Sequence, residues 1–93
     1  MLLIVNKTSH DVFRLIRMFG GDEDKSVLLV GDGVYYAMPA MVGRFEPLEV
    51  EDIYVAKDAV EERNIVVSPE AEVVDYDRMA ALIMDEYDKV LSL

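Results

Sequence analysis

Short apolar runs rich in leucine and β-branched residues alternate along this chain with stretches whose apolar positions recur at helical spacing. Leu2–Val5 is the first run and suits a strand buried on both faces. The polar turn Asn6–His10 follows. There Thr8 and Asp11 make a T-x-x-D pattern, a variant of the capping box that opens a helix. Val12, Phe13, Leu15, Ile16 and Phe19 then repeat at helical spacing, Arg14 and Arg17 share a polar stripe, and Gly20-Gly21 ends the helix. After the acidic turn Asp22–Asp24, Ser26–Val30 reads as a second buried strand.

Gly31-Asp32-Gly33 is the next turn, with Asp32 the expected N-cap. Val34–Val42 is apolar on every side and predicts a helix that Pro39 kinks or ends. A helix hydrophobic all round must be covered all round, and a sheet covers only one side. Arg44–Glu51 reads as an acidic connection, Asp52–Val55 as a third strand and Lys57–Arg63 as a short polar helix. Ile65–Val67 is a brief extended piece before the Ser68-Pro69 turn, and Glu72–Asp75 is a fourth strand. Asp77 is expected to cap a last helix from Arg78 to about Leu91, with Met79, Leu82, Ile83, Tyr87, Val90 and Leu91 on its apolar stripe. Strands alternating with helices imply right-handed crossovers and a parallel sheet. The expected fold is α/β: one domain, a three-layer α/β/α sandwich with a small, mainly parallel sheet of four or five strands.

Composition sharpens this reading. Ninety-three residues form a single domain near the small end of the usual range, and 53% are apolar against ~45–50% in a typical globular chain. The excess suits burial against another subunit, so an oligomer is expected. There is no cysteine and one histidine, which removes disulfides and any Cys/His zinc cluster. Nine Lys and Arg against nineteen Asp and Glu give a formal net charge of −10. A phosphate backbone is bound through clustered Lys and Arg, and the few here are scattered, so direct nucleic-acid binding is not expected. The same charge suits either steered association with a basic partner or solubility alone. The longest apolar run, Val34–Val42, holds nine residues with Pro39 among them, far from the ~20 of a membrane span. With no leader pattern at the start, a soluble cytoplasmic protein without a membrane partner is expected.

In an open parallel sheet, ligands bind beyond the carboxyl ends of the strands, at the switch in strand order. Three turns could gather there, bringing Lys7, Thr8, His10, Asp32, Gly33 and Asp75 as candidate binding residues. A plainer reading stands beside it: Thr8, Asp32 and Asp77 cap helices, while Lys7 and His10 are solvated. Gly31-Asp32-Gly33 resembles the start of a nucleotide loop, but Tyr36 occupies the third glycine position, so a tight turn explains it better and no cofactor is expected. Asp32 and Asp75 would be a carboxylate pair for acid–base work or Mg²⁺; a phosphoacceptor domain would want acids where the first strand ends in Val5-Asn6. No catalytic or metal-binding residue is assigned. Val34, Tyr35, Tyr36, Met38, Met41 and Phe45 form an apolar, Tyr- and Met-rich cluster of the kind enriched at protein interfaces. The alternative is that all six are core.

Three segments, taken in order, resemble the DsrH/TusB family of the DsrE/F/H-like superfamily. Leu2–Ser9 is similar to its L-H-x-V-N-K-S-P start, Leu28–Ala37 to its L-L-x-x-D-G-V-x-A-A pattern, and Ile53–Ile65 to its V-Y-A-L-x-x-D-L-x-A-R-G-L pattern. Val74-Asp75-Tyr76-Asp77 matches the Asp/Ser-Tyr before the family's last helix. The family's proline after the first turn and its C-terminal tryptophan are missing. The resemblance implies a subunit of a sulfur-relay assembly that passes persulfide sulfur toward tRNA 2-thiouridine or through sulfur oxidation. Its implied partners are DsrE/TusD-like and DsrF/TusC-like subunits. Thiolate is the nucleophile of persulfide transfer, and this chain has no cysteine, so the implied role is scaffold or docking surface and not sulfur carrier. A self-associating module that binds a small ligand at the sheet's switch point is the other reading.

Overall fold

The computed structural model describes residues 1–9 and 11–93. The apolar runs become five strands: β1 (Leu2–Val5), β2 (Lys25–Leu29), β3 (Val50–Ala56), β4 (Glu72–Val74) and β5 (Val90–Ser92). All pair in parallel, in the order β4-β3-β2-β1-β5. Between them lie α1 (Asp11–Gly20), 3-10 helices at Gly31–Ala37 and Val42–Leu48, α2 (Lys57–Arg63), and α3 (Tyr76–Ala81) continuing into a π-helical turn, Leu82–Glu86. The three-layer α/β/α sandwich with a parallel sheet is what these residues form, with five strands.

Right-handed crossovers decide which layer each helix joins. The steps from β1 through β4 all cross the sheet in one direction, so α1, both 3-10 helices and α2 fall on the same face. The step from β4 to β5 travels back past β1 and lays α3 and the π turn on the other. Strand side chains alternate between these layers. Leu3, Val5, Val27, Leu29 and Val55 meet Val12, Ile16, Val34, Tyr36, Phe45 and Ala59 on the crowded face. Leu2, Leu28, Tyr54 and Val74 meet Leu82 on the thin one. All of β2 is buried, which is why Val27, Leu28 and Leu29 are apolar without alternation.

Five expectations are corrected. The last helix ends at Glu86 and not near Leu91: Tyr87 turns extended, and Val90 and Leu91 pair with Leu2 and Leu3 as β5. The free edge of β1 offers a hydrogen-bond ladder to two residues of high β propensity, and that ladder outweighs a frayed last turn. The cap of α3 is Asp75, whose Oδ1 accepts the Arg78 N–H at 2.9 Å, so the helix starts before Asp77. Val34–Val42 is not one helix. The first 3-10 helix stops at Ala37, a turn holding Pro39 follows, and the second covers most of the supposed connection Arg44–Glu51. Asp32 lies inside the first 3-10 helix, whose N-cap position, Val30, supplies no side-chain bond. Phe19, placed on the apolar face of α1 by spacing, is 51% exposed at its end.

Two local features hold these turns. Gly31 has φ +51°, a left-handed conformation that glycine adopts without strain. At Gly33 a Cβ would stand 2.1 Å from the Val5 carbonyl oxygen, so the close approach of the 3-10 helix to the end of β1 requires glycine. Lys25, unassigned by the sequence pattern, is buried at the start of β2. Its Nζ donates to the carbonyls of Gly21 (3.1 Å), Glu23 (3.1 Å) and Leu48 (3.0 Å). The ammonium thus ties the end of α1 to the end of the second 3-10 helix, at carbonyls that carry the negative ends of both helices.

Candidate functional site

The carboxyl ends of β4, β3, β2 and β1 lie in that order along one edge of the sheet. The chain leaves β1, β2 and β3 toward the crowded face, and β4 toward the thin one. Adjacent strands whose exits diverge open a crevice between them, and here those strands are β3 and β4. Lys57, Asp58, Glu61, Asp75, Tyr76 and Met79 line a pocket of about 240 Å³ at that point. Of the candidate binding residues that are described, Asp75 alone borders it. Its carboxylate is engaged as the cap of α3.

The others sit elsewhere on the edge. Lys7 and Thr8 are exposed beyond β1. Ser9 and not Thr8 makes the bonds that open α1: its Oγ accepts the Asp11 N–H at 3.2 Å and its carbonyl accepts the Val12 N–H at 3.0 Å. His10 lies outside the described residues. Asp32 accepts from Nη2 (3.0 Å) and Nε (3.2 Å) of Arg63 at the end of α2, and this pairing raises the guanidinium's pKa. Asp32 and Asp75 therefore serve different helices and form no carboxylate pair. Gly33 is buried against β1.

The cluster expected at an interface divides. Val34, Tyr36 and Phe45 are buried in the subunit's own core, a correction to their interfacial assignment. The reason is the break at Pro39: two short 3-10 helices can each turn an apolar side inward, which one straight helix could not. Phe13, Tyr36 and Phe45 stack edge-on or tilted with centroids 5.0 to 6.1 Å apart, and Arg44 lies 4.8 Å over Phe13. The Tyr36 hydroxyl donates to the Ser9 carbonyl at 3.1 Å, satisfying the one polar atom of that buried ring. Met38 and Met41 are half-buried, and Tyr35 is 39% exposed.

The most exposed large apolar side chains lie on the thin face's helix. Tyr76 and Met84 are each 80% exposed, and Ile83 38%. With Met79 and Ala80 they line a groove of about 310 Å³ that joins the crevice through Tyr76 and Met79. The signal in the sequence was the presence of Tyr76 and Met84 off the apolar stripe of the last helix. Beneath them Arg78 spans the layer, pairing with Glu86, lying 3.8 Å from Glu72 and resting 5.9 Å over the Tyr54 ring. The Tyr54 hydroxyl meets that of Tyr87 at 3.4 Å. Burial, and then this contact, push the Tyr54 pKa well above that of an ordinary tyrosine.

Among the described residues no group of His, Asp and Glu is placed to hold a metal ion, and no helix is long and apolar enough to cross a membrane. Of the candidate carboxylates at this edge, Asp32 is held in an ion pair and Asp75 in a helix cap. No curated protein matches the chain. The family model described as DsrH like protein matches residues 8–90, from the turn after β1 to the first residue of β5. With the parallel five-stranded sheet and the ordered motifs at its strand ends, that match shows that the chain belongs to the DsrH family, whose members are parts of sulfur-relay complexes.

Proposed function

We infer that this chain is a scaffold or docking subunit of a cytoplasmic sulfur-relay complex, assembled with DsrE/TusD-like and DsrF/TusC-like relatives that carry the sulfur. The observation that carries this reading is a DsrH match over residues 8–90 in a sequence with no cysteine. Persulfide transfer needs a thiolate that attacks one sulfur and holds the next, and no side chain here substitutes for it. The relay's thiols must then belong to its partners. The final acceptor on this reading is the wobble uridine of tRNA or an intermediate of sulfur oxidation. The net charge of −10 favours contact with proteins over direct contact with tRNA.

Reconstitution tests it. With a ³⁵S-labelled persulfide donor, the label should appear on the cysteine-bearing relatives and never on this chain. Omitting this chain should slow transfer between them. Thiol-removable label on this chain, or transfer indifferent to its presence, would overturn the reading.

A further inference from the structure

We propose that the outer face of α3 and its π turn is where a protein partner docks, and that the partner's contact surface has an apolar centre ringed by lysine or arginine. This rests on the subunit role inferred above and names the surface that performs it. The apolar centre is Tyr76, Met79, Ala80, Ile83 and Met84. Two of these are 80% exposed, the highest values among the large apolar residues, and they adjoin one another in a groove. Adjacent exposed apolar side chains, unlike single scattered ones, suit an interaction site. Methionine and tyrosine are also the side chains that adapt to and anchor partners.

Charge decides among occupants. Asp58, Glu61 and Asp75 line the adjoining crevice, and exposed Asp77 and Asp85 flank Tyr76 and Met84 in the chain. Among the described residues Asp58, Glu61, Asp77 and Asp85 make no ion pair; Lys57 is the one cation lining the crevice. A second copy docking through the same face would set these carboxylates against their own kind, since a two-fold contact is self-complementary. An anionic lipid surface would be repelled as well. A protein with a basic rim satisfies both the apolar centre and its surround.

Binding of this chain to the cysteine-bearing relatives encoded in the same genome, followed by sedimentation at low and moderate salt, tests the face. Tyr76→Glu with Met84→Glu should weaken association at least tenfold, and Asp77→Lys with Asp85→Lys should weaken it and flatten its salt dependence. Val66→Glu, at a 72% exposed position elsewhere, should change nothing. Circular dichroism checks the fold, and a lone Met84→Ser repeats the test with a milder change. Association that ignores both pairs of changes would overturn this surface while leaving the subunit role intact. If the unaltered chain binds none of those relatives, the subunit role falls and this inference with it. A homodimer abolished by Tyr76→Glu with Met84→Glu would show a second copy on the face and overturn the partner's chemistry.

Discussion

The two faces of the sheet differ in how much covers them. The crowded face carries α1, two 3-10 helices and α2, and its core joins all of them. The thin face carries α3 and one π turn over a much smaller cluster around Leu2, Leu28, Tyr54, Val74 and Leu82. The apolar surplus of the sequence is handled differently on the two faces, although Met18 and Phe19 at the end of α1 are exposed as well. On the crowded side, Val34, Tyr36 and Phe45 are absorbed inside the subunit. On the thin side, a single helical layer buries Leu82 completely and leaves Tyr76 and Met84 outside. A lone layer has an inner and an outer surface, and apolar residues on the outer one wait for something beyond the subunit.

The comparison predicts a graded set of stability losses. Phe45→Ala, in the tightly enclosed aromatic trio, should cost the most, about 4 kcal/mol by urea denaturation, because surrounding helices hold the cavity open. Leu82→Ala, equally buried but under one layer, should cost less, about 2.5 kcal/mol, since α3 can settle onto the sheet. Equal losses at the two positions would remove the distinction between the faces. Asp75→Ala removes the cap of α3 and should cost about 1 kcal/mol. Thermal unfolding should show that loss recovered in large part by Asn.

The smallest effect is one of pH. Tyr54 on the thin face keeps its proton in the folded state beyond the pH at which the unfolded chain releases it, because burial and the Tyr87 hydroxyl disfavour the phenolate. Above the ordinary tyrosine value of about 10, the unfolded state therefore binds fewer protons and stability falls as pH rises. Below that value the contribution is fully present. Tyr54→Phe should lose less stability than the parent between about pH 10 and 11, measured as the shift in urea midpoint. Parallel slopes for the two chains would place Tyr54 in contact with water.

Local patterns were enough to read most of the crowded side's strands and helices. Leu2–Val5, the helix ending at Gly20-Gly21, and Lys57–Arg63 are visible because their apolar residues, glycines and flanking polar residues agree with one another. Asp32 looked like a cap or a ligand because a carboxylate in a turn suits either. Its partner Arg63 lies 31 residues away and is brought to it only by the packing of α2 beside the first 3-10 helix. Lys25 gave no signal at all, since its acceptors are backbone carbonyls, two in the turn just before it and one, Leu48, 23 residues away.

By itself the sequence determined the alternation of buried strands with helices, and so a parallel sheet, because side-chain period and turn chemistry are properties of neighbouring residues. It also determined that no thiol is available. Tertiary structure alone decided the fate of residues whose local pattern was satisfied in two ways. Val90 and Leu91 fit a helical stripe as well as a strand, and the open edge of β1 chose the strand. Val34, Tyr36 and Phe45 fit an interface as well as a core, and the break at Pro39 folded them inward. Tyr76 and Met84 stayed outside because the direction of the last crossover leaves one helix to cover a whole face. Burial depends on how many helices the topology places over each face of the sheet, and that number is set by long-range connections.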